Sequence, residues 1–408
     1  MREVTQPVRA RGTMRSAVAM VAALAALLAF APVASATSDP LASGTTTITL
    51  NKGLFKKLKK NGVKVLKVSP ATVKKRKVTL PVSGGSLDPV TGVGTVEHNG
   101  GIKFKRGKKT ATVNTLVLET ATASLKAKVA GKNMKLASVK GVVLTRNGFG
   151  ANVSISSLKL TGKAAKHLNK KLGFTGKKKN KQGKKVAVKP LLKGNQTLGA
   201  SASETQPKTV AVVSGNASLT TDETTVKKFV LAPPNGHLVK IEPISPTQAE
   251  TVANPFTPVL KFPVGGGTIA PDASSGIVQT VGGVRLVQDL GPSGKTTMTL
   301  GNIWIDLGAK TATVEVVVES TISPKLNLGV LGRSSIANLN LTGATIKSDP
   351  ATRTVSVENA VATLQAVTAE TLNSVFGAPF DAAEPPVPHP KFAEGDGLGS
   401  FSFTVTTQ

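Results

Sequence analysis

Apolar and polar residues alternate with a period of two over long parts of the chain. The clearest runs are "TATVNTLVLETATASLKAKVAG" from Thr110 and "TATVEVVVESTIS" from Thr311. Successive side chains of a strand point to opposite faces, so this period marks strands with one buried face. Gly, Asn, Asp and Pro interrupt the runs at "SGGSLDP", "GKN", "RNG" and "KSDP". Many short strands separated by turn signals predict an all-β fold, a sandwich or open barrel rather than a parallel sheet. Plentiful Thr and Val agree, because branched side chains suit a half-buried pleated surface. Short helical patterns interrupt the strands. Asn51 caps "KGLFKKLKK", which Gly62 ends; Thr161 or Thr368 caps a later helix, with Gly173 or Gly377 at its end.

The pattern occurs twice. "LPVSGGSLDPVTGVGTVEHNGGIKF" from Leu80 matches "FPVGGGTIAPDASSGIVQTVGGVRL" from Phe262 without a gap, at an offset of 182 residues. Upstream, "TITLNKGLFKKL" ending at Leu58 resembles "SLTTDETTVKKF" ending at Phe229, and "VSPAT" from Val68 resembles "ISPTQ" from Ile244. Downstream, "LTGKAAKHLNKKLGF" from Leu160 resembles "LQAVTAETLNSVFGA" from Leu364. The order is the same throughout, which predicts two tandem β-sandwich-like domains, 37–204 and 205–408, each with one or two short helices.

Residues 1–36 read as a secretory signal peptide. Arg9, Arg11 and Arg15 precede the apolar "AVAMVAALAALLAFAPV", and "ASA" at 34–36 supplies a small-residue cleavage site. Met14 offers an alternative start with a shorter charged region. The apolar run falls short of the ~20 residues of a membrane span, and no later segment reaches that length. The expected mature protein is secreted or associated with the cell surface after cleavage near Ala36. The chain has no Cys, which excludes disulfides, thiolate metal sites and cysteine catalysis.

Charge divides the two copies. Residues 37–204 hold 35 Lys or Arg against five acids, whereas 205–408 hold 13 against 16. The +30 of the whole chain therefore belongs to the first copy's surface rather than to the fold. Its basic runs are "KKLKK" (56–60), "KKRK" (74–77), "KFKRGKK" (103–109) and "GKKKNKQGKK" (176–185), the last reading as a loop. Such a field attracts anionic partners with an affinity that salt weakens. Thirteen Phe, one Trp and no Tyr leave few aromatic platforms for single-stranded nucleic acid. An anionic cell-wall polymer or anionic lipid surface suits an exported protein better, set against a basic face that serves only solubility.

Catalytic constellations are absent. The acids of the first copy, Asp39, Asp88, Glu97, Glu119 and Glu204, show no paired spacing, and "GxSxG", "HExxH" and phosphate-binding loops do not occur. The glycine runs recur at the same place in both copies, as a turn required by the fold would. Of four histidines, His98 aligns with Thr280 and His167 with Thr371, while His237 and His389 have no counterparts. None has a second His at metal-ligand spacing, and His167 reads as a surface residue.

The layout resembles the HtaA domain, found on exported actinobacterial proteins and associated with haem uptake. The likeness rests on the early helix, on the "GG…GTV" strand followed by His98, Gly100 and Gly101, and on tandem copies behind an Ala-rich leader. It implies haem at the rim of a β-sandwich, with a tyrosine oxygen on the iron and a histidine nearby. His98 carries over; the tyrosine does not, since the chain has none, and the second copy has Thr280 in place of the histidine. Two expectations follow. The first is a non-enzymatic exported or envelope protein that contacts an anionic ligand through Lys103, Lys105, Arg106, Lys108 and Lys109 beside His98. The alternative is a haem-binding protein using His98, with Lys103 or Arg106 pairing the propionates.

Overall fold

The computed structural model describes residues 38–179, 184–230, 238–250, 252–376 and 391–408. The expected signal segment lies outside them, as do His237, Gly377 and His389.

The first repeat comprises β1 (Asp39–Leu50), α1 (Lys52–Lys60), β2 (Lys64–Val68), β3 (Thr72–Lys74), β4 (Lys77–Leu87), β5 (Gly94–Arg106) and β6 (Lys109–Glu119). It continues with β7 (Ser124–Val129), β8 (Lys132–Asn147), β9 (Gly150–Leu160), α2 (Gly162–Leu172), β10 (Lys177–Lys179), β11 (Lys185–Ala187) and β12 (Thr197–Pro207). The second comprises β13 (Val210–Thr221), α3 (Glu223–Val230), β14 (Val239–Ile244), β15 (Gln248–Glu250), β16 (Val259–Ile269), β17 (Gly276–Thr280) and β18 (Gly283–Asp289). After these come β19 (Lys295–Asp306), β20 (Thr311–Ser320), β21 (Gly329–Asn340), β22 (Thr345–Asp349), β23 (Thr354–Leu364), α4 (Ala366–Phe376) and β24 (Gly397–Thr407). The all-β class read from the sequence is the one observed. β4 and β16 keep the offset of 182 residues at both ends, and α2 and α4 keep one of 204.

In the first repeat the strand order is β2-β5-β6-β7-β8-β9-β12-β1-β4-β3, and β5 also pairs with β4. β5 lies against β4 through Gly94–His98 and against β2 through Gly101–Lys105. Eight strands thus run in a closed circuit, which leaves few free edges. The second repeat closes in the same way, through pairing of β19 with both β17 and β20. The inward faces form an apolar core in each repeat, the first rich in Leu and Val, the second also holding Phe262, Phe376, Phe401 and Phe403.

The glycine pair sits where β5 changes partner. Gly100 has φ +81°, and a Cβ there would lie 2.6 Å from the Ala71 nitrogen; Gly282 has φ +92° beside Thr247 and Ile244. The left-handed backbone and the close chain crossing both require glycine. This explains why the pair recurs in both copies.

The helices end as their sequences dictate. Asn51 Oδ1 accepts from Gly53 and Leu54 amides, and α1 buries Leu54 and Leu58. Thr161 caps α2, and Gly173 ends it with φ +73°. Thr368 does not cap α4; it lies inside the helix, where its hydroxyl donates to Ser335 O at 3.4 Å. The lysine-rich stretch expected to be a loop carries two short paired strands among its described residues, and 180–183 lie outside them. These strands, β10 and β11, pair antiparallel from Lys177↔Ala187, and Val188 N donates to Gly176 O at 2.8 Å.

Strand β12 continues through Glu204 and Thr205, and the chain reaches the second sheet at Val210. The repeats belong to one compact unit. Phe149, at the turn between β8 and β9, is buried in the core of the second repeat, and Gly148 lies against Pro350. Lys208 N donates to Pro40 O at 2.6 Å, Gln408 N donates to Ala211 O at 2.9 Å, and Arg146 donates to Gln408 O.

Candidate functional site

The stretch from His98 to Lys109 occupies β5, its turn and the start of β6, and the structure divides it into three parts. His98 faces inward and is only 4 % exposed. Its Nδ1 lies 3.0 Å from Leu116 O and its Nε2 2.6 Å from Thr46 Oγ1, which is itself 2.8 Å from Ser203 Oγ. A carbonyl only accepts, so Nδ1 donates to Leu116, while Nε2 is engaged by Thr46 Oγ1, whose own proton goes to Ser203 Oγ. Burial holds the imidazole below its ordinary 6.5, partly opposed by the carbonyl bond. The void beside the ring is about 10 Å³. A cofactor pocket needs roughly 300 Å³ or more. His98 therefore has neither a free nitrogen nor the space to serve as an iron ligand. Thr280 occupies the same place in the second repeat and donates to Ile303 O at 3.0 Å.

Arg106 and Lys109 are partners in register across the hairpin and lie at the C-terminal end of α2. The Arg106 guanidinium stacks 4.0 Å over Phe174 and donates to Leu172 O at 3.2 Å and Gly173 O at 3.4 Å. Lys109 Nζ lies over Gly173. Arg106 meets the carbonyls at the negative dipole end of the helix and is thereby committed to the fold. Lys108 projects from the exposed turn.

Lys103 and Lys105 point outward. Partners in register share a face of a sheet, and Lys105 pairs with Lys64 while Lys103 pairs with Leu66 and Thr112. The same face continues through Asn114↔Lys128 and Val117↔Lys126 to Lys126↔Lys135. Lys126 is answered by Glu119 at 2.5 Å, which lowers that carboxyl below its ordinary range. Adjacent strands lie ~4.8 Å apart, so the facing pairs Lys64 and Lys105, and Lys126 and Lys135, sit within a Debye length of each other. Lys64, Lys128 and Lys135 were missed as site residues by a reading that followed contiguous basic runs. The signal for Lys128 is the period-two "SLKAKV", in which Lys126 and Lys128 fall on one face, whereas Lys64 and Lys135 join that face through strand register.

The remaining histidine differs from its sequence reading. His167 is half-buried on α2, and its Nε2 is enclosed without a hydrogen-bond partner. Among the described residues no group of three His, Cys, Asp or Glu is placed to hold a metal ion. None of the described helices is long and apolar enough to cross a membrane.

The fold and this face define a tandem-repeat, closed antiparallel β protein with a basic sheet surface on its first repeat. No protein-family model matches the chain, and no curated protein matches it. Among solved structures it is similar to the haem binding protein HtaB of Corynebacterium glutamicum, at 14 % identity over 49 % of this chain and 96 % of that one, with a TM-score of 0.32. It is also similar to the C-terminal domain of HtaA from that organism, at 12 % identity over 49 % of this chain and 99 % of that one, with a TM-score of 0.33. The N-terminal domain of HtaA gives 14 % identity over 48 % and 98 %, with a TM-score of 0.33.

Proposed function

We propose that the protein is a non-enzymatic binding protein of the cell exterior, whose first repeat holds an anionic polymer or anionic lipid surface on the outward face of β2, β5, β6, β7 and β8. The carrying observation is the shared face of Lys64, Lys103, Lys105, Lys128 and Lys135. Like charges this close repel one another, and a polyanion laid across the strands relieves that repulsion. The corresponding strands of the second repeat mix signs on their outward rows, with Glu242 opposite Arg285 and Glu319 opposite Thr297. His98 and Arg106 act within the fold and take no part in this reading.

Sedimentation of the full chain with vesicles, or retention on immobilised teichoic acid, tests it. Binding to phosphatidylglycerol vesicles is expected, with little binding to phosphatidylcholine and steep weakening between about 50 and 300 mM salt. The triple variant Lys103→Glu, Lys105→Glu, Lys128→Glu is expected to lose at least about tenfold in affinity. Equal binding by this variant, or by neutral vesicles, would overturn the proposal.

A further inference from the structure

The second repeat encloses a cavity of about 140 Å³ between the inward face of its sheet and helices α3 and α4. Phe229, Leu286, Met298, Leu300, Val316 and Leu372 form much of its wall. The first repeat has a space in the same place, between α1, α2 and the sheet, but it closes to about 40 Å³ around leucines and Phe104. The difference is written in the sequence. At equivalent positions of the repeat Phe104 becomes Leu286, Ile102 becomes Val284 and Leu54 becomes Thr225, each a loss of apolar volume. The change from Leu58 to Phe229 restores only part of it.

Two further observations distinguish this space from a packing defect. It reaches the surface beside Leu331 and Val367, which line it while remaining 44 % and 57 % exposed, an apolar lip on the outside of the molecule. Among the described residues of the wall, one enclosed polar atom has no hydrogen-bond partner. Thr225, Thr368 and Thr371 spend their hydroxyls on the carbonyls of Gly397, Ser335 and Val367. Ser335, also in the wall, buries its Oγ without a partner. A buried hydroxyl left unmatched is costly, and an apolar cavity of this size forgoes packing contacts that an apolar occupant would supply. An apolar cavity of about 150 Å³ stays dry and takes up benzene, so the dimensions suit a small hydrocarbon body.

We infer that the second repeat is a binding site for a small, mostly hydrocarbon molecule, or the hydrocarbon end of a larger one, bearing a single hydrogen-bonding oxygen that Ser335 meets. The site is independent of the basic face of the first repeat. It uses no charge, and its specificity comes from volume and one hydroxyl.

The chain carries its own reporter. Met298 lines the cavity, and Met134 lies in the first repeat, partly buried against the other core. The full-length protein, labelled with ¹³C at methionine methyls, is titrated with benzene, octane, 1-octanol, octanoate and haemin. The expected result is a saturable shift of the Met298 methyl with benzene and 1-octanol, while the Met134 methyl stays in place. 1-Octanol is expected to bind about fivefold more tightly than octane, the effect of one hydrogen bond, and Ser335→Ala should bring the two to parity. Octanoate binding no weaker than 1-octanol identifies a free or lipid-borne acyl group as the source; octanoate that fails to bind where 1-octanol does identifies a neutral molecule. Leu286→Phe, which installs the residue of the first repeat, should abolish the Met298 shift without lowering the melting temperature. No shift of Met298 up to the solubility of benzene and 1-octanol, undiminished binding by Leu286→Phe, or a shift with haemin alone would each overturn the inference.

Discussion

His98 and Thr280 stand at one point of two repeats, both buried and both bonded to a carbonyl of the next strand. A group that meets this need must be polar, inward and small enough for the core, and neither residue has capacity left for a ligand. His98→Ala should therefore behave as a core truncation. It leaves the Leu116 carbonyl without its imidazole donor and opens a void, at a cost of about 2–4 kcal/mol in urea unfolding. The pH dependence follows from the lowered imidazole. The unfolded chain takes up the proton first as pH falls through 6.5, so the contribution of His98 is full above that pH and shrinks below it. Stability curves of wild type and variant should accordingly converge on acidification. A constant gap from pH 8 to pH 5 would show that the ring is not held neutral. The sequence made the histidine conspicuous because it is rare; the alignment with threonine was the legible sign that it serves packing and hydrogen bonding.

At the scale of elements, the repeat made most of the fold legible. Alternation placed the strands, Asn51, Thr161 and Gly173 placed helix ends, and the constant offset of β4 and β16 appears in the residues themselves. The circuit was not legible, because closure depends on β5 dividing its length between β4 and β2 at a glycine pair. The site was read in part. Contiguous runs grouped Lys103 and Lys105 with Arg106 and Lys109, but in a strand neighbours in sequence face opposite ways. Arg106 consequently belongs to the end of α2 while Lys105 faces solvent beside Lys64. Arg106→Ala should lower stability by about 1–2 kcal/mol, through loss of the stacked guanidinium and its carbonyl bonds, and weaken vesicle binding less than Lys105→Ala does. Thermal melts and the same sedimentation assay separate the two effects. If Arg106→Ala weakens binding more than Lys105→Ala with no change in melting, the division of the hairpin into two faces is wrong.

At the scale of the whole molecule, the two repeats meet through a joint that is itself charged. Phe149 anchors the turn of the first repeat in the core of the second, and around it gather Asp39, Asp88, Arg146 and Arg353. Arg146 Nη1 and Asp39 Oδ2 are both enclosed without partners. Burial raises the Asp39 carboxyl from its ordinary 3.8 to about 6, and the attraction of Arg146 and the Ala211 backbone only partly opposes it. The folded joint thus holds a proton that the unfolded chain releases near pH 4, so the contribution of Asp39 is greatest below that pH and is lost as pH rises through 6. This slope opposes that of His98, and the two are separated by comparing wild type with each variant in turn. Asp39→Asn, which keeps the shape and cannot ionise, should flatten stability between pH 4 and 6 and exceed wild type by about 1–3 kcal/mol at pH 7. Denaturant unfolding at stepped pH measures this directly. If Asp39→Asn is the less stable protein at pH 7, the ionised carboxylate is repaid in full by Arg146, and the joint is an ion pair rather than a strained contact.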